Sequence, residues 1–205
     1  MRYLFITLLL ATLGTTAIAQ DYKQDEGALR TGSGYLLYNM LQKNSFTIEL
    51  SGDVDLSAYP IVKYNDKSFE FEKAAKSDFG SAEPEVLQKF MALEKSLMED
   101  KLHSALEPKS ELLSLLNRRV NFWHYAHPQS EESKKKSGAV LKTYFMDFAN
   151  GDLLFRVSYP SASGNDAEAR QFLQGIVSNF RFYKSQLDFD RLSKSIESGV
   201  NYYTE

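Results

Sequence analysis

Residues 139–160 contain two runs of alternating apolar and polar residues, AVLKTYFMDFA and DLLFRVSYP, joined by Asn150-Gly151. Alternation with a period of two predicts β-strands with one buried face. Asn-Gly between two such runs is the strongest short sequence pattern for a β-hairpin. We therefore predict that 139–148 and 152–159 pair as an antiparallel hairpin, which excludes an all-helical or purely parallel fold.

Several other segments are predicted to be strands. Residues 46–52 alternate in the same way, and Asn65-Asp66 separates two short runs that form a second hairpin. The remaining predicted strands are 111–115, 120–126 and 180–183. We favour a hairpin for 111–115 with 120–126, although the leucines of 111–116 are equally compatible with a helix. Residues 35–42 are predicted to form a short amphipathic turn or helix.

Two segments are predicted to be helices. Residues 83–106 show the strongest helical periodicity, and Pro84 suits a first helical position. Asn165 and Glu168 resemble a capping box at the start of a helix over 166–179. Antiparallel strands combined with helices at mid-chain and near the end predict an α+β fold. In that fold helices pack on the faces of an antiparallel sheet, as an α/β/α sandwich.

The first residues indicate export. Arg2 precedes an apolar run from Tyr3 to Leu13, and Ala17-Ile18-Ala19 provides a small-residue cleavage site. This is the pattern of a signal peptide over 1–19, and the apolar run is shorter than the ~20 residues that cross a bilayer. We predict a periplasmic or secreted protein with a flexible mature N-terminus over 20–34, a single domain over 35–205, and no transmembrane segment in the mature chain.

Composition excludes several classes of function. The chain has no cysteine, so it can form neither disulfides nor thiolate metal sites. Its 24 basic and 27 acidic residues are interleaved, which gives no electrostatic footprint for nucleic acid. Asp147 and Asp152 flank the Asn-Gly turn and are interpreted as turn residues rather than as the acid pair of a glycosidase. No nucleotide-binding motif is present, and we predict no cofactor.

The C-terminal part resembles a known kind of domain. YFMDFANGDLLFRVSYP, a loop, and AEARQFLQGIVSNFRFY resemble the end of PsbP-like and Ran-binding Mog-type domains, in which a hairpin, a loop and a helix lead into a final S-F-x-F strand. The corresponding residues here are Ser178-Asn179-Phe180-Arg181-Phe182. The resemblance implies an antiparallel sheet and a largely non-catalytic accessory or binding role. It supplies no motif residues that transfer to this chain.

The stretch 117–128, NRRVNFWHYAHP, holds two of the three histidines and the only tryptophan. Side chains alternate faces along a strand, so His124 and His127 point in opposite directions. They cannot chelate one ion from a regular strand, and a zinc site needs further ligands. We predict no metal site here.

One face of this strand carries Trp123, Tyr125 and His127, with Arg119 on the same side. Aromatic residues beside an arginine are typical of binding surfaces, so these four residues are the candidate ligand-binding site. The favoured alternative is that a helix covers Trp123, which then belongs to the core.

Two functions follow. The leading prediction is an exported, non-enzymatic binding or accessory protein whose partner is an envelope or extracellular protein or a small ligand. The alternative is a small exported hydrolase or transferase that uses His124 or His127 as a general base. No sequence motif identifies catalytic residues.

Overall fold

The structure is a computed structural model that describes residues 26–41, 44–128 and 140–198. The predicted signal peptide lies outside these residues, and so does all but Pro128 of the polar loop that the sequence predicts over 128–138. The helices are α1 (Glu85–Leu102), α2 (Asp166–Ser178) and α3 (Phe189–Ser198). The strands are β1 (Glu26–Arg30), β2 (Gly34–Asn39), β3 (Ser45–Ser51), β4 (Val54–Asp55), β5 (Val62–Tyr64), β6 (Lys67–Ala75), β7 (Lys109–Leu115), β8 (Arg118–Ala126), β9 (Lys142–Asn150), β10 (Leu153–Ser161) and β11 (Phe180–Tyr183).

The strands form two antiparallel sheets. Seven strands follow the order β4-β5-β6-β10-β9-β8-β7, and four follow the order β1-β2-β3-β11. The predicted α+β class with antiparallel strands and helices on the sheet faces is confirmed. The four-stranded sheet packs beside α2 on one face of the seven-stranded sheet.

The predicted hairpins are present. Asn150 pairs with Leu153 across the β9–β10 turn, and Gly151 takes a φ of 58° that glycine adopts without strain. Residues 111–115 are strand, since β7 pairs with β8 along its whole length. Asn165 caps α2 as predicted, and its side chain accepts hydrogen bonds from the backbone of Ala167 and Glu168.

The N-terminal predictions are wrong in two places. The segment 20–34 was expected to be flexible, yet β1 begins at Glu26 and pairs with β2 along its length. Residues 35–42 were expected to form a turn or helix, yet β2 is a strand over Gly34–Asn39. The reason is tertiary: Leu37 packs into the main core, whereas Leu36 and Tyr38 on the opposite face pack under α3.

The seven-stranded sheet separates two hydrophobic layers. Phe122 on β8 faces the main core, which α2 and the four-stranded sheet cover. Trp123 and Tyr125 face the other way and pack with Met98 and Leu102 of α1. Neighbouring residues of β8 therefore belong to different layers. In the described part of the chain, no helix is long and apolar enough to cross a membrane.

Candidate functional site

The strands β8, β9 and β10 place one buried polar cluster on each face of the large sheet. The α1-side cluster consists of Glu72, Glu94, Trp123, Asp147 and Arg156. The α2-side cluster consists of His124, Lys142, Tyr144 and Asp166. Each cluster includes one residue of the histidine-rich stretch, Trp123 on the α1 side and His124 on the α2 side.

An ion pair lies at the centre of the α1-side cluster. Asp147 is fully buried and Arg156 is only 2% exposed. Arg156 donates from Nε to Asp147 Oδ1 at 2.8 Å and from Nη2 to Oδ2 at 2.9 Å. Trp123 donates from Nε1 to the same Oδ2 at 2.8 Å. The interpretation of Asp147 as an ordinary turn residue is therefore wrong, because it points into the layer beneath α1.

The rest of the guanidinium binds α1. Arg156 Nη1 donates to Glu94 Oε2 at 3.0 Å and to Glu72 Oε1 at 3.1 Å, while Nη2 reaches the carbonyl of Phe90 at 2.9 Å. The guanidinium also lies 4.0 Å from the centroid of the Phe90 ring. Every nitrogen of Arg156 is thus hydrogen-bonded, and the cluster fastens α1 to the sheet with no donor left for a ligand.

The α2-side cluster is less complete. Asp166 Oδ1 accepts from Lys142 Nζ at 2.6 Å and from Tyr144 Oη at 2.7 Å. His124 Nε2 lies 3.6 Å from Asp166 Oδ2, which is too long for a good hydrogen bond. His124 Nδ1 is buried and has no hydrogen-bond partner within the described residues. A histidine beside an acid and a hydroxyl is an arrangement that acid–base chemistry uses.

The surroundings shift the ionisation of this cluster. Burial lowers the pKa of His124, and Lys142 and Lys109 add to the lowering against the attraction of Asp166. Burial raises the pKa of Tyr144, and its hydrogen bond to Asp166 raises it further. Burial alone would raise the pKa of Asp166, but the hydrogen bonds from Lys142 and Tyr144 bring it below its usual value. The cluster therefore holds neutral His124 against ionised Asp166.

The predicted ligand-binding residues do not share one exposed surface. Trp123 is fully buried and stacks on Phe145 with ring centroids 4.0 Å apart, and Tyr125 lies in the same layer. The favoured interpretation of Trp123 as a core residue is confirmed. Arg119 is exposed, and His127 is half-buried with Nε2 2.7 Å from Thr143 Oγ1. A ligand-binding role for the four residues stays a prediction, and burial leaves only Arg119 and His127 accessible.

The two histidines of this stretch lie on opposite faces of β8, as predicted. His124 contacts Tyr144 in the layer of α2, and His127 contacts Tyr125 in the layer of α1. Within the residues that the structure describes, no group of three or more His, Cys, Asp or Glu side chains is arranged to hold a metal ion.

A groove of about 430 Å³ lies elsewhere, between the β5–β6 turn and the exposed face of α2. Sequence patterns do not indicate this groove, since its two walls are about a hundred residues apart in the chain. A glycine inside the periodic pattern of α2 was the one local indication of it. The lining residues are Tyr64, Asn65, Asp66, Lys67, Glu168, Gln171, Phe172, Gly175, Ile176 and Asn179.

The charges in the groove are paired with one another. Lys67 Nζ lies 3.2 Å from Asp66 Oδ2 and 3.1 Å from Glu168 Oε1. These contacts join the β5–β6 turn to the first turn of α2. Gly175 lies further along the helix, and no atom outside its own helix and chain neighbours would come within 4 Å of a Cβ placed there. The groove therefore has a charge-paired end and an open stretch of helix backbone.

Comparison with known proteins shows a likeness to solved structures. No family model matches the chain, and no curated protein sequence matches it. Its structure is similar to the solution structure of cyanobacterial PsbP (CyanoP) from Synechocystis sp. PCC 6803, with 10% sequence identity and a TM-score of 0.41. The match covers 85% of this chain and 99% of that chain. The predicted resemblance to PsbP-like domains is confirmed as a loose one.

Proposed function

We propose that this chain is an exported, non-enzymatic binding protein that holds a small, neutral, polar ligand in the groove beside α2. The observation that carries the proposal is the groove itself, with the exposed backbone at Gly175 in its wall. Its volume of about 430 Å³ falls in the range typical of small-molecule sites.

The side chains of the groove indicate the class of ligand. Tyr64, Phe172 and Ile176 provide an apolar surface, and Asn65, Gln171 and Asn179 provide amides that both donate and accept hydrogen bonds. The lysine in the groove is already paired with two carboxylates, so no unpaired positive charge selects an anion. A ligand with one apolar face and several hydroxyl or amide groups, such as a sugar ring, fits these groups.

Gly175 supports a role for the helix backbone. Glycine inside a helix costs roughly 0.5–1 kcal/mol relative to alanine. No steric contact within the described structure requires glycine at this position, because a Cβ there would meet open space. A ligand that approaches the backbone of α2 closely would give this position a reason to lack a side chain.

The decisive test uses two substitutions of Gly175. Gly175→Trp should fill the groove, whereas Gly175→Ala should leave most of it open and stabilise the protein by roughly 0.5–1 kcal/mol. N-acetylglucosamine, maltose and a mixture of small amides are titrated into labelled protein while backbone amide shifts are recorded. We expect shifts along α2 for at least one probe in the wild type and in Gly175→Ala, and their loss in Gly175→Trp.

Two outcomes would contradict this proposal. Shifts that persist unchanged in Gly175→Trp would place binding outside the groove. No shift along α2 with any of the probes would reject a neutral polar ligand. Export is tested separately by mass spectrometry of the mature protein, whose N-terminus should lie at or near Gln20.

The hydrolase or transferase hypothesis comes second. It is favoured by the position of His124 beside Asp166 and Tyr144. We place it second because His124 is only 7% exposed and neither it nor His127 lines the groove. Turnover of p-nitrophenyl esters that disappears in His124→Gln and persists in Gly175→Trp would move this hypothesis to first place.

A further inference from the structure

The outer edge of β7 is an open end of the large sheet. β7 is the last strand in the order of that sheet, and no strand of the described chain pairs with its outer side. The other three sheet edges are β4, β1 and β11, which contain two, five and four residues, whereas β7 contains seven. A long unpaired edge is a template for a further strand, and proteins usually shorten, charge or cover such edges. The edge of β7 is therefore a candidate docking surface.

The β7–β8 turn shows which backbone groups of β7 are already used. Its two central residues, Leu116 and Asn117, have φ angles of 51° and 61°, and Leu115 pairs with Arg118 across them. Two central residues with positive φ form a type I′ hairpin turn. In such a turn the flanking pair exchanges both of its backbone hydrogen bonds, so the N–H and C=O groups of Leu115 are directed at β8.

Three residues of β7 consequently direct their backbone groups away from the sheet. Hydrogen-bonded and non-hydrogen-bonded residues alternate along an antiparallel pair, so from Leu115 backwards the odd-numbered residues bond to β8 and the even-numbered ones point outward. The outward residues are Ser110, Leu112 and Ser114, and all three are exposed. None of them is a proline or a charged residue, which are the residue types that usually block an edge.

This row of residues is complementary to a second copy of itself. A two-fold axis through Leu112 places Ser110 of each copy opposite Ser114 of the other, and Leu112 opposite Leu112. Each of these pairs can exchange two backbone hydrogen bonds, as in any antiparallel ladder. Leu112 is 49% exposed, and the pairing covers it with an identical apolar side chain.

The charged side chains of β7 are compatible with this pairing. Lys109 and Glu111 each lie opposite a leucine of the second copy, so no two like charges face each other directly. The two Glu111 residues become diagonal neighbours, but each carboxylate is bound by Arg170 of its own chain. The guanidinium of Arg170 lies 5.0 Å from the centroid of the Phe122 ring on β8, which is on the inner side of the edge. The charge pattern therefore favours a second copy as the occupant.

We propose that the β7 edge pairs with the β7 edge of a second copy of this chain, so that two seven-stranded sheets join into one continuous sheet. An interface limited to one strand edge is small, and we expect a reversible dimer with a dissociation constant on the order of 0.1 mM. No residue of β7 lines the groove beside α2, so the pairing leaves that groove open and does not depend on its ligand.

Amide hydrogen exchange of the full-length protein tests the pairing directly. The outward amides of Ser110, Leu112 and Ser114 should exchange several-fold more slowly at about 1 mM protein than at about 0.01 mM, because mass action fills the edge. The amides of Glu111 and Leu113 bond to β8 and should be protected at both concentrations. Outward amides that exchange equally fast at both, together with a monomeric mass in sedimentation, would overturn the proposal even where a variant fails to fold.

Leu112→Lys is the decisive variant, because it sets two like charges opposite each other across the two-fold axis. Sedimentation equilibrium should show dimerisation weakened by at least about tenfold. Leu97→Lys is the matched control, because Leu97 lies on α1 and is 51% exposed. It should change the dissociation constant by less than about twofold, since exposed charges are screened by salt. Equal weakening by both variants would overturn the edge in favour of a general charge effect.

Mixed variants test whether the pairing is symmetric. An equimolar mixture of Leu112→Lys and Leu112→Glu places opposite charges across the axis and should dimerise more tightly than either variant alone. A mixture that stays as weak as its components would overturn the two-fold arrangement. Protection of the outward amides by an unrelated strand peptide, in protein that stays monomeric by itself, would overturn self-pairing and reassign the edge to a different protein.

Discussion

Each face of the large sheet carries a polar cluster built on a cross-strand pair, but the two clusters differ in how completely their polar groups are hydrogen-bonded. Each begins as a cross-strand pair: Asp147 lies opposite Arg156, and His124 lies opposite Tyr144. On the α1 side, three carboxylates and a backbone carbonyl saturate the guanidinium. On the α2 side, Asp166 serves two donors, and Nδ1 of His124 is left without a partner among the described residues. A buried pair by itself therefore does not distinguish a structural cluster from a titratable one.

The two clusters differ in the position of the helix residue that binds the cross-strand pair. Glu94 and the Phe90 carbonyl belong to the middle of α1, where backbone and side chain are fixed by the helix. Asp166 is the first residue of α2, and about half of its side chain is exposed. Water competes for hydrogen bonds to a half-exposed side chain at a helix end. The ionisable groups of the α2-side cluster can therefore still take up protons. The following experiments test this difference, from the largest effect to the smallest.

The largest effect is expected for Asp147→Ala. This change leaves the charge of Arg156 buried without its main partner, which costs about 3–5 kcal/mol in comparable buried pairs. The free energy of unfolding from urea titration measures the loss. The matched variant Asp147→Leu with Arg156→Met and Glu94→Gln removes the buried charges together and should recover part of that loss, since Glu72 is half exposed. A single variant that costs less than about 1 kcal/mol would show that the α1-side cluster is not what fastens α1.

A smaller loss is expected for Tyr144→Phe, which removes one donor to Asp166. The cost should be about 1–2 kcal/mol at pH 8, since hydrogen bonds to charged groups contribute about 1.5–3 kcal/mol and water partly replaces this one. Because the pKa of Tyr144 is raised in the folded state, its contribution is complete below the unfolded value near 10 and is lost as the pH rises further. The difference between wild type and variant should therefore shrink above pH 10.

The control for this prediction is Tyr159→Phe. Tyr159 stacks near Tyr144 in the same layer, but the hydroxyl that donates to Asp166 is that of Tyr144. Removal of the Tyr159 hydroxyl should change the free energy of unfolding by much less. An equal loss in both variants would mean that repacking of the rings, rather than the bond to Asp166, explains the cost.

The smallest effect concerns the pH dependence of His124→Gln. The pKa of His124 is lowered by burial, so the unfolded chain takes up a proton first as the pH falls below about 6.5. Wild-type stability should decrease from that pH down to the folded-state pKa, by about 1.4 kcal/mol for each pH unit between the unfolded and folded pKa values. His124→Gln should remove this part of the decrease. An NMR titration that gives His124 a pKa above 6.5 would show that Asp166 outweighs burial.

Local sequence patterns predicted the elements that depend on neighbours in the chain. The Asn150-Gly151 hairpin, the Asn165 cap and the alternation along β8 all follow from backbone preferences over a few residues. The strands β1 and β2 were not predicted, because Glu26–Arg30 is short and polar and becomes a strand only by pairing with β2. In turn, β2 is fixed by β3 and by α3 from the other end of the chain.

The candidate sites were harder to predict than the fold for the same reason. Asp147 lies close to a turn in sequence, and no local pattern shows that Arg156 lies opposite it on the neighbouring strand. The groove joins Lys67 to Glu168. Each depends on residues from different elements. The strand alternation of His124 and His127 was predictable, and it correctly separated the two histidines.

The alternation along β8 also determines which mutations this strand can tolerate. Because adjacent residues serve different layers, a single inserted or deleted residue within β8 would send Trp123 towards α2 and His124 towards α1. The hydrogen bond from Trp123 to Asp147 and the pairing of His124 with Tyr144 would then be lost at once, although every side chain would still be present. Over generations, β8 should therefore accept conservative substitutions far more readily than changes of length.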